Sequence, residues 1–211
     1  MNNIAFIDLE IDGRGKIVDA GAVKAGKSIH TSRIADFVNF ISDAHFLCGH
    51  NITEHDYKYL RPFLSRDYKL IDTLYLSPLM FPRKPYHRLL KDDKLLSDEL
   101  NNPLNDAVKA KELFEDEVNA FRDIDKRMQQ IYYDLTSDDI HFNGFFDYVG
   151  YLPERRLFFL KKSTADNVKE ALAGKICANA DVNDAVRNSK TATAYSVALI
   201  STGTLGAQEL P

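Results

Sequence analysis

The sequence predicts an α/β fold: a mixed sheet flanked by helices, followed by a small helical extension. Three observations carry this reading. Up to residue 75, short apolar runs alternate with stretches of helical periodicity. The first of these runs have the spacing of a hairpin meander, and from about residue 123 onward the pattern is helical only. The 211 residues are 45% hydrophobic and 27% charged, enough apolar material for a core in a soluble globular chain.

The elements follow in order. Residues 4–10 (IAFIDLE) are strand-like, and Asp12-Gly13-Arg14-Gly15 supplies a turn. Residues 16–24 (KIVDAGAVK) make a second strand and residues 27–30 a short third, giving an antiparallel meander. Thr31-Ser32 reads as a helix cap, and Ile34, Phe37, Val38 and Ile41 form one apolar face behind it. Phe46-Leu47-Cys48-Gly49 is a buried strand, and a helix runs from about Thr53 to Leu64. Residues 68–71 return as a strand, with Leu74, Leu76 and Leu79 on a short helix. Residues 82–103 form a charged connection bracketed by Pro82, Pro85 and Pro103, of a length more often functional than idle. Asn102-Pro103 then supplies a cap and a first-turn proline to a long helix reaching about Arg122. Gly144, Gly150 and Pro153 punctuate the next stretch, and Ala192, Ala194, Val197, Ala198 and Ile200 mark a last apolar helix. The pattern divides the chain into a domain over residues 1–134 and a helical extension over 135–211.

Composition excludes several classes of function. A net charge of −4 argues against bulk-electrostatic DNA binding, although a local basic strip or a bound cation could still hold phosphate. No run of about 18 apolar residues exists to span a membrane. The start, Met1-Asn2-Asn3-Ile4, lacks a basic n-region, so no signal peptide is expected. Cys48 and Cys177 stand far apart in apolar surroundings and read as reduced, buried thiols of a cytoplasmic protein.

The chemistry concentrates in four carboxylates. Asp8 and Glu10 lie two apart on the first strand and project to the same side of the sheet. On an otherwise apolar strand they repel and carry a desolvation cost, which a divalent cation would offset. Asp56 and Asp106 each fall in the first turn of a helix, where the helix dipole favours the ionised form. Either alone also reads as an ordinary helix-start acid; the strand pair is harder to explain without a ligand. Together the four carboxylates match two Mg²⁺ or Mn²⁺ ions, because all-oxygen ligation favours these over zinc. Two such ions about 4 Å apart can activate a water on one side of a phosphodiester and stabilise the leaving oxygen on the other.

Asp8-Leu9-Glu10, the run from His50 to Asp56 (HNITEHD) and Asn105-Asp106-Ala107, in that order, resemble the DEDD (DnaQ-like) 3′→5′ exonucleases of the ribonuclease H-like fold. Residues 16–23 are similar to that family's second strand, and Ile71-Asp72-Thr73-Leu74 to its fifth strand and following helix. The resemblance covers about residues 4–122 and implies a five-stranded mixed sheet, with Asp8, Glu10, Asp56 and Asp106 as the metal ligands. It also places Asn51 beside the site, where its amide could meet a substrate phosphate or sugar. The family's general base sits five or four positions before the last aspartate, and here those positions hold Asn101 and Asn102. Asparagine does no general-base work near neutral pH, so His87 on the long connection is the candidate substitute. His50 reads as a hydrogen-bonding anchor, and His55 is expected to face away from the site.

On the substrate side, Arg83, Lys84, His87, Arg88, Lys91 and Lys94 surround Tyr86, a mixture suited to a single strand, although Asp92, Asp93, Asp98 and Glu99 dilute it. Arg155-Arg156 and Lys161-Lys162 flank an apolar core that suggests burial. Residues 174–180 (GKICANA) and the last helix resemble the connector of RecQ-family helicases with an N-terminal nuclease domain. That resemblance implies a downstream helicase domain in a longer chain, and it favours DNA. No GxxxxGK[ST] loop is present, so no ATPase of that type is expected. The function expected is a two-metal 3′→5′ exonuclease acting on a nucleic-acid end, probed as a single-stranded 3′ end. The alternatives are a catalytically silent nucleic-acid-binding module and a purely structural interaction domain.

Overall fold

The computed structural model describes residues 3–89, 102–153 and 162–203. They fall into two units, Met1–Tyr75 with His87–Asp116 and Leu76–Tyr86 with Glu117–Pro211. The division runs inside a long helix, and residue 134 lies within a different helix.

The first unit is built on five strands: β1 (Ile4–Ile11), β2 (Ile17–Lys24), β3 (Lys27–Thr31), β4 (Phe46–Gly49) and β5 (Lys69–Asp72). Their order across the sheet is β3-β2-β1-β4-β5. The meander β1-β2-β3 is antiparallel, while β1, β4 and β5 run parallel. Helices α1 (Ile34–Ile41) and α2 (Asp56–Leu60), the start of α3 (Thr73–Met80) and the N-terminal part of α4 (Pro103–Asp123) complete the unit. The period of two in β1 sorts its side chains. Ala5, Ile7 and Leu9 enter a core with Ala20, Ala22, Leu47 and Leu70, closed by Phe37 and Ile41 of α1 and Leu60 of α2. Phe6, Asp8 and Glu10 face the opposite side, where the Phe6 ring lies 5.7 Å from Phe114 of α4.

The second unit is helical. The rest of α3 and α4 joins α5 (Lys126–Thr136), α6 (Asn143–Val149), α7 (Thr164–Ala171), α8 (Val182–Asn188) and α9 (Lys190–Ser201). Helices α7 and α9 pack on α5, and α8 lies against both. Phe121 meets the rings of Phe145, Phe146 and Tyr151 edge-on at 5.2, 5.9 and 5.6 Å, an arrangement aromatic quadrupoles favour. Asp125, Ser163 and Asp181 accept from the first-turn amides of α5, α7 and α8. No described helix is long and apolar enough to cross a membrane.

Four local expectations are corrected. Thr31-Ser32 does not cap α1: the Thr31 hydroxyl takes the Arg33 N–H at 3.0 Å, and α1 starts at Ile34 without a side-chain cap. The helix expected over 53–64 is only α2, because Asp72 captures amides of the preceding turn and Pro62 converts the end to a 3₁₀ turn over Arg61–Phe63. Gly144 does not interrupt the chain but is buried inside α6. Cys177 is exposed, since it lies in the turns between α7 and α8 rather than on an apolar face; Cys48 is buried as expected.

Candidate functional site

Asp8 and Glu10 stand in the C-terminal half of β1, at the end of the parallel strands where open α/β sheets place ligands, while Asp56 opens α2 and Asp106 lies on α4. Asp8 pairs with Gly21 and Glu10 with Asp19, so the unoccupied Cβ position of Gly21 lies on the Asp8 side of the sheet. A Cβ built there would stand 2.2 Å from the Leu104 nitrogen and 2.3 Å from the Pro103 carbonyl carbon. The absence of a side chain at Gly21 therefore lets the start of α4 settle on the sheet beside Asp8. Asn102 fixes that start, its Oδ1 accepting from the amides of Leu104 and Asn105 at 3.0 and 3.4 Å. Asp106 follows in the first turn, partly buried. This is the capping role the sequence assigned to Asn102.

Asp56 reaches the strand from the other direction. β4 pairs with β1 only along Ile4–Phe6, so beyond that point β1 has no strand on this side. Asp56 Oδ1 takes the place of a strand carbonyl and accepts the Leu9 N–H at 2.9 Å. The carboxyl is buried (1% exposed), and that desolvation raises its pKa above the ordinary carboxylate range, with His55 and the Leu9 amide only partly opposing it. Burial thus outweighs the helix N-terminus expected to favour the ion. His55 does not face away from the acids. Its Nδ1 lies 3.6 Å from Asp56 Oδ1, an ion-pair contact rather than a hydrogen bond. Asp56, with a smaller contribution from Glu10, raises the His55 pKa.

Between β4 and α2 the turn is organised by Asp72, which the sequence reading quoted only within the Ile71–Leu74 run, one position past the strand expected over 68–71, and gave no role of its own. Its Oδ1 accepts from the amides of Asn51 and Leu74 at 2.9 and 3.1 Å. Its Oδ2 accepts from the amide and hydroxyl of Thr53 at 3.0 and 2.6 Å. The first of these bonds holds Asn51 in the left-handed region, at φ 68°, a conformation Asn tolerates better than most residues. His50 is anchored as expected, its Nδ1 2.9 Å from the Thr73 hydroxyl. That hydroxyl donates to Gly49 O, so Nδ1 carries the imidazole proton, and the buried Nε2 has no hydrogen-bond partner among the described residues. Burial pushes the His50 pKa down to about 4, against the pull of Asp72, and nearby His87 pushes the same way.

The structure therefore brings Asp8, Glu10, Asp56 and the start of α4 to one end of β1, and His87 to the neighbourhood of His50. Among the described residues no three His, Cys, Asp or Glu side chains stand together as a ligand set for a metal. The chemistry of the donors and the buried Asp56 carboxyl, which gains from any added positive charge, still fit a divalent cation. Tyr86 is 79% exposed and Arg88 is exposed, so both side chains are open to solvent. Asn101, Lys91, Lys94, Arg155, Arg156 and Lys161 lie outside the described residues. Compared with known proteins, the chain matches no family model, no curated protein and no solved structure.

Proposed function

We propose that the chain is a metal-dependent 3′→5′ exonuclease with a ribonuclease H-like domain. The strand order and the antiparallel–parallel mixture are compatible with that fold. One observation carries the functional reading: Asp8 and Glu10 share the sheet side on which Gly21 admits the α4 N-terminus, while Asp56 is bonded to the intervening Leu9. Three distant stretches of sequence thus bring acid-bearing elements toward one strand end, and the buried Asp56 carboxyl carries a desolvation cost that a cation would offset.

On this reading Asp8, Glu10, Asp56 and Asp106 would hold two Mg²⁺ or Mn²⁺ ions, drawing the carboxylates together by rotamer changes. Bound there, such ions would supply Lewis acidity for hydrolysis of a phosphodiester. The chain does the positioning. The Leu9 N–H and His55 orient Asp56, and Asp72 fixes the turn that carries Asn51, whose amide would meet a phosphate or sugar of the terminal nucleotide. Arg88, exposed on the connection, would take a phosphate of a single-stranded 3′ end. His87 is the candidate proton acceptor at a ring nitrogen, since Asn102 is committed to capping α4. DNA is favoured over RNA, and a downstream helicase domain is the partner, through the connector-like residues 174–180 and α9.

The test is release of mononucleotides from a 3′-labelled single strand with Mn²⁺. Wild type should release them, and Asp8→Asn should lose nearly all release while keeping strand binding. An Asp8→Asn protein as active as wild type removes the assignment. A second reading, a silent module that binds nucleic acid, is favoured by the commitment of Asn102 to its cap and by the lack of a preformed ligand set among the described residues. It predicts binding with no release at any metal concentration.

A further inference from the structure

We infer that a cavity in the helical unit, where the C-terminal part of α4, the start of α5 and the end of α6 meet, binds a small organic anion with an aromatic or apolar body. Its volume is about 540 Å³, within the range of pockets that take organic ligands and far larger than a bare phosphate needs. Phe121, Arg122, Lys126, Gln129, Tyr151 and Leu152 line it.

The polar wall is one-sided. Gln129 is used at both ends: Nε2 donates to Phe121 O at 2.7 Å, and Oε1 accepts from Lys126 Nζ at 3.1 Å. Among the described residues Arg122 is exposed and makes no hydrogen bond or ion pair, and Lys126 meets only that neutral amide. No Asp or Glu among the described residues lines the cavity, and the neighbouring Asp125 has its carboxylate on the amides of Arg127 and Met128. What Arg122, Lys126 and Gln129 have left to offer is therefore N–H donors and positive charge, which suits carboxylate or phosphate oxygens rather than a cation. The other wall is apolar. Tyr151 stands in the ring cluster with Phe121 and Tyr133, and Leu152 is left 86% exposed at the rim, just past the left-handed Gly150. An anion without an apolar body would leave that rim bare.

Titration calorimetry on the full chain in EDTA tests this, because EDTA removes any cation-held nucleotide at the sheet. The probes are adenosine 5′-monophosphate for the phosphate form and indole-3-propionate for the carboxylate form, with adenosine as the neutral control. At least one anion should bind below millimolar concentration, and adenosine at least about tenfold more weakly. Arg122→Gln with Lys126→Gln should weaken that binding at least about tenfold and leave the unfolding midpoint unchanged, since both side chains are exposed. Binding of neither anion, or binding equal in the double variant, overturns the proposal. So does nucleotide binding that survives the double variant and disappears in Asp8→Asn.

Discussion

Protonation of His50 should make the fold acid-sensitive in a window set by one imidazole. Its folded pKa is lowered from 6.5 to about 4 by burial. The unfolded chain therefore takes up the proton first, and stability falls as pH drops from 6.5 through 4, levelling off about a unit below the folded value. At ~1.4 kcal/mol per pKa unit, the loss from this group is about 2 kcal/mol at pH 5 and about 3 kcal/mol at pH 4. Other carboxyls titrate in the same range, so the measurement is a difference. Urea unfolding is followed from pH 7.5 to 4 for wild type and for His50→Asn, whose amide can still donate to Thr73. Asn has no proton to gain, so the wild-type advantage at pH 7.5 should shrink by about 2 kcal/mol by pH 5. In NMR spectra the His50 ring should also stay neutral well below the ordinary histidine midpoint. Parallel stability profiles for the two proteins, or a ring that titrates near 6.5, would refute the assignment of the shift to burial.

Other substitutions probe separate parts of the structure. Gly21→Ala drives a methyl into the backbone at Pro103 and Leu104; it should cost about 1–3 kcal/mol and abolish the proposed nuclease activity by displacing α4, measured by urea unfolding and mononucleotide release. Phe121→Ala removes the ring shared by three edge-on contacts and should cost about 3–5 kcal/mol in chemical denaturation. Mn²⁺ at about a hundred times its Kd should stabilise the folded chain by about 2.7 kcal/mol, seen as a melting temperature several degrees higher than in EDTA. Asp56→Asn should remove that rise; no rise in wild type would favour the structural interaction domain.

Much of the first unit is legible in the sequence because its signals are local. The apolar run of residues 4–10, alternating from Ile7 onward, and the helical spacing in 34–41 are each visible within one short stretch, and the observed elements lie within a residue or two of the expected ones. The shared side of Asp8 and Glu10 follows from the same alternation. What the sequence does not disclose depends on contacts between distant segments. Residues 53–55 read as the start of a helix until Asp72 is known to take amides of that turn, those of Asn51 and Thr53. An outward-facing His55 is the natural expectation because its neighbour on α2 fixes only its position along the helix, not the strand beyond. Cys177 misleads because adjacent apolar letters say nothing of whether a turn is covered. Gly21 has a sign available: it stands between Ala20 and Ala22 in a strand, and three small residues in a row leave room for close backbone approach.

The Asp72 carboxylate has a consequence for strand alignment. β4 and β5 share only four ladder pairs, from Phe46 with Lys69 to Gly49 with Asp72, and short parallel strands can slide. Sliding β5 by two residues would preserve the inward-facing pattern, so hydrophobic burial alone does not forbid it. It would, however, carry the carboxylate about 7 Å along the strand, out of reach of Asn51 and Thr53 together. One acid at the last rung thus acts as a detent that selects a single alignment among those the apolar side chains would accept.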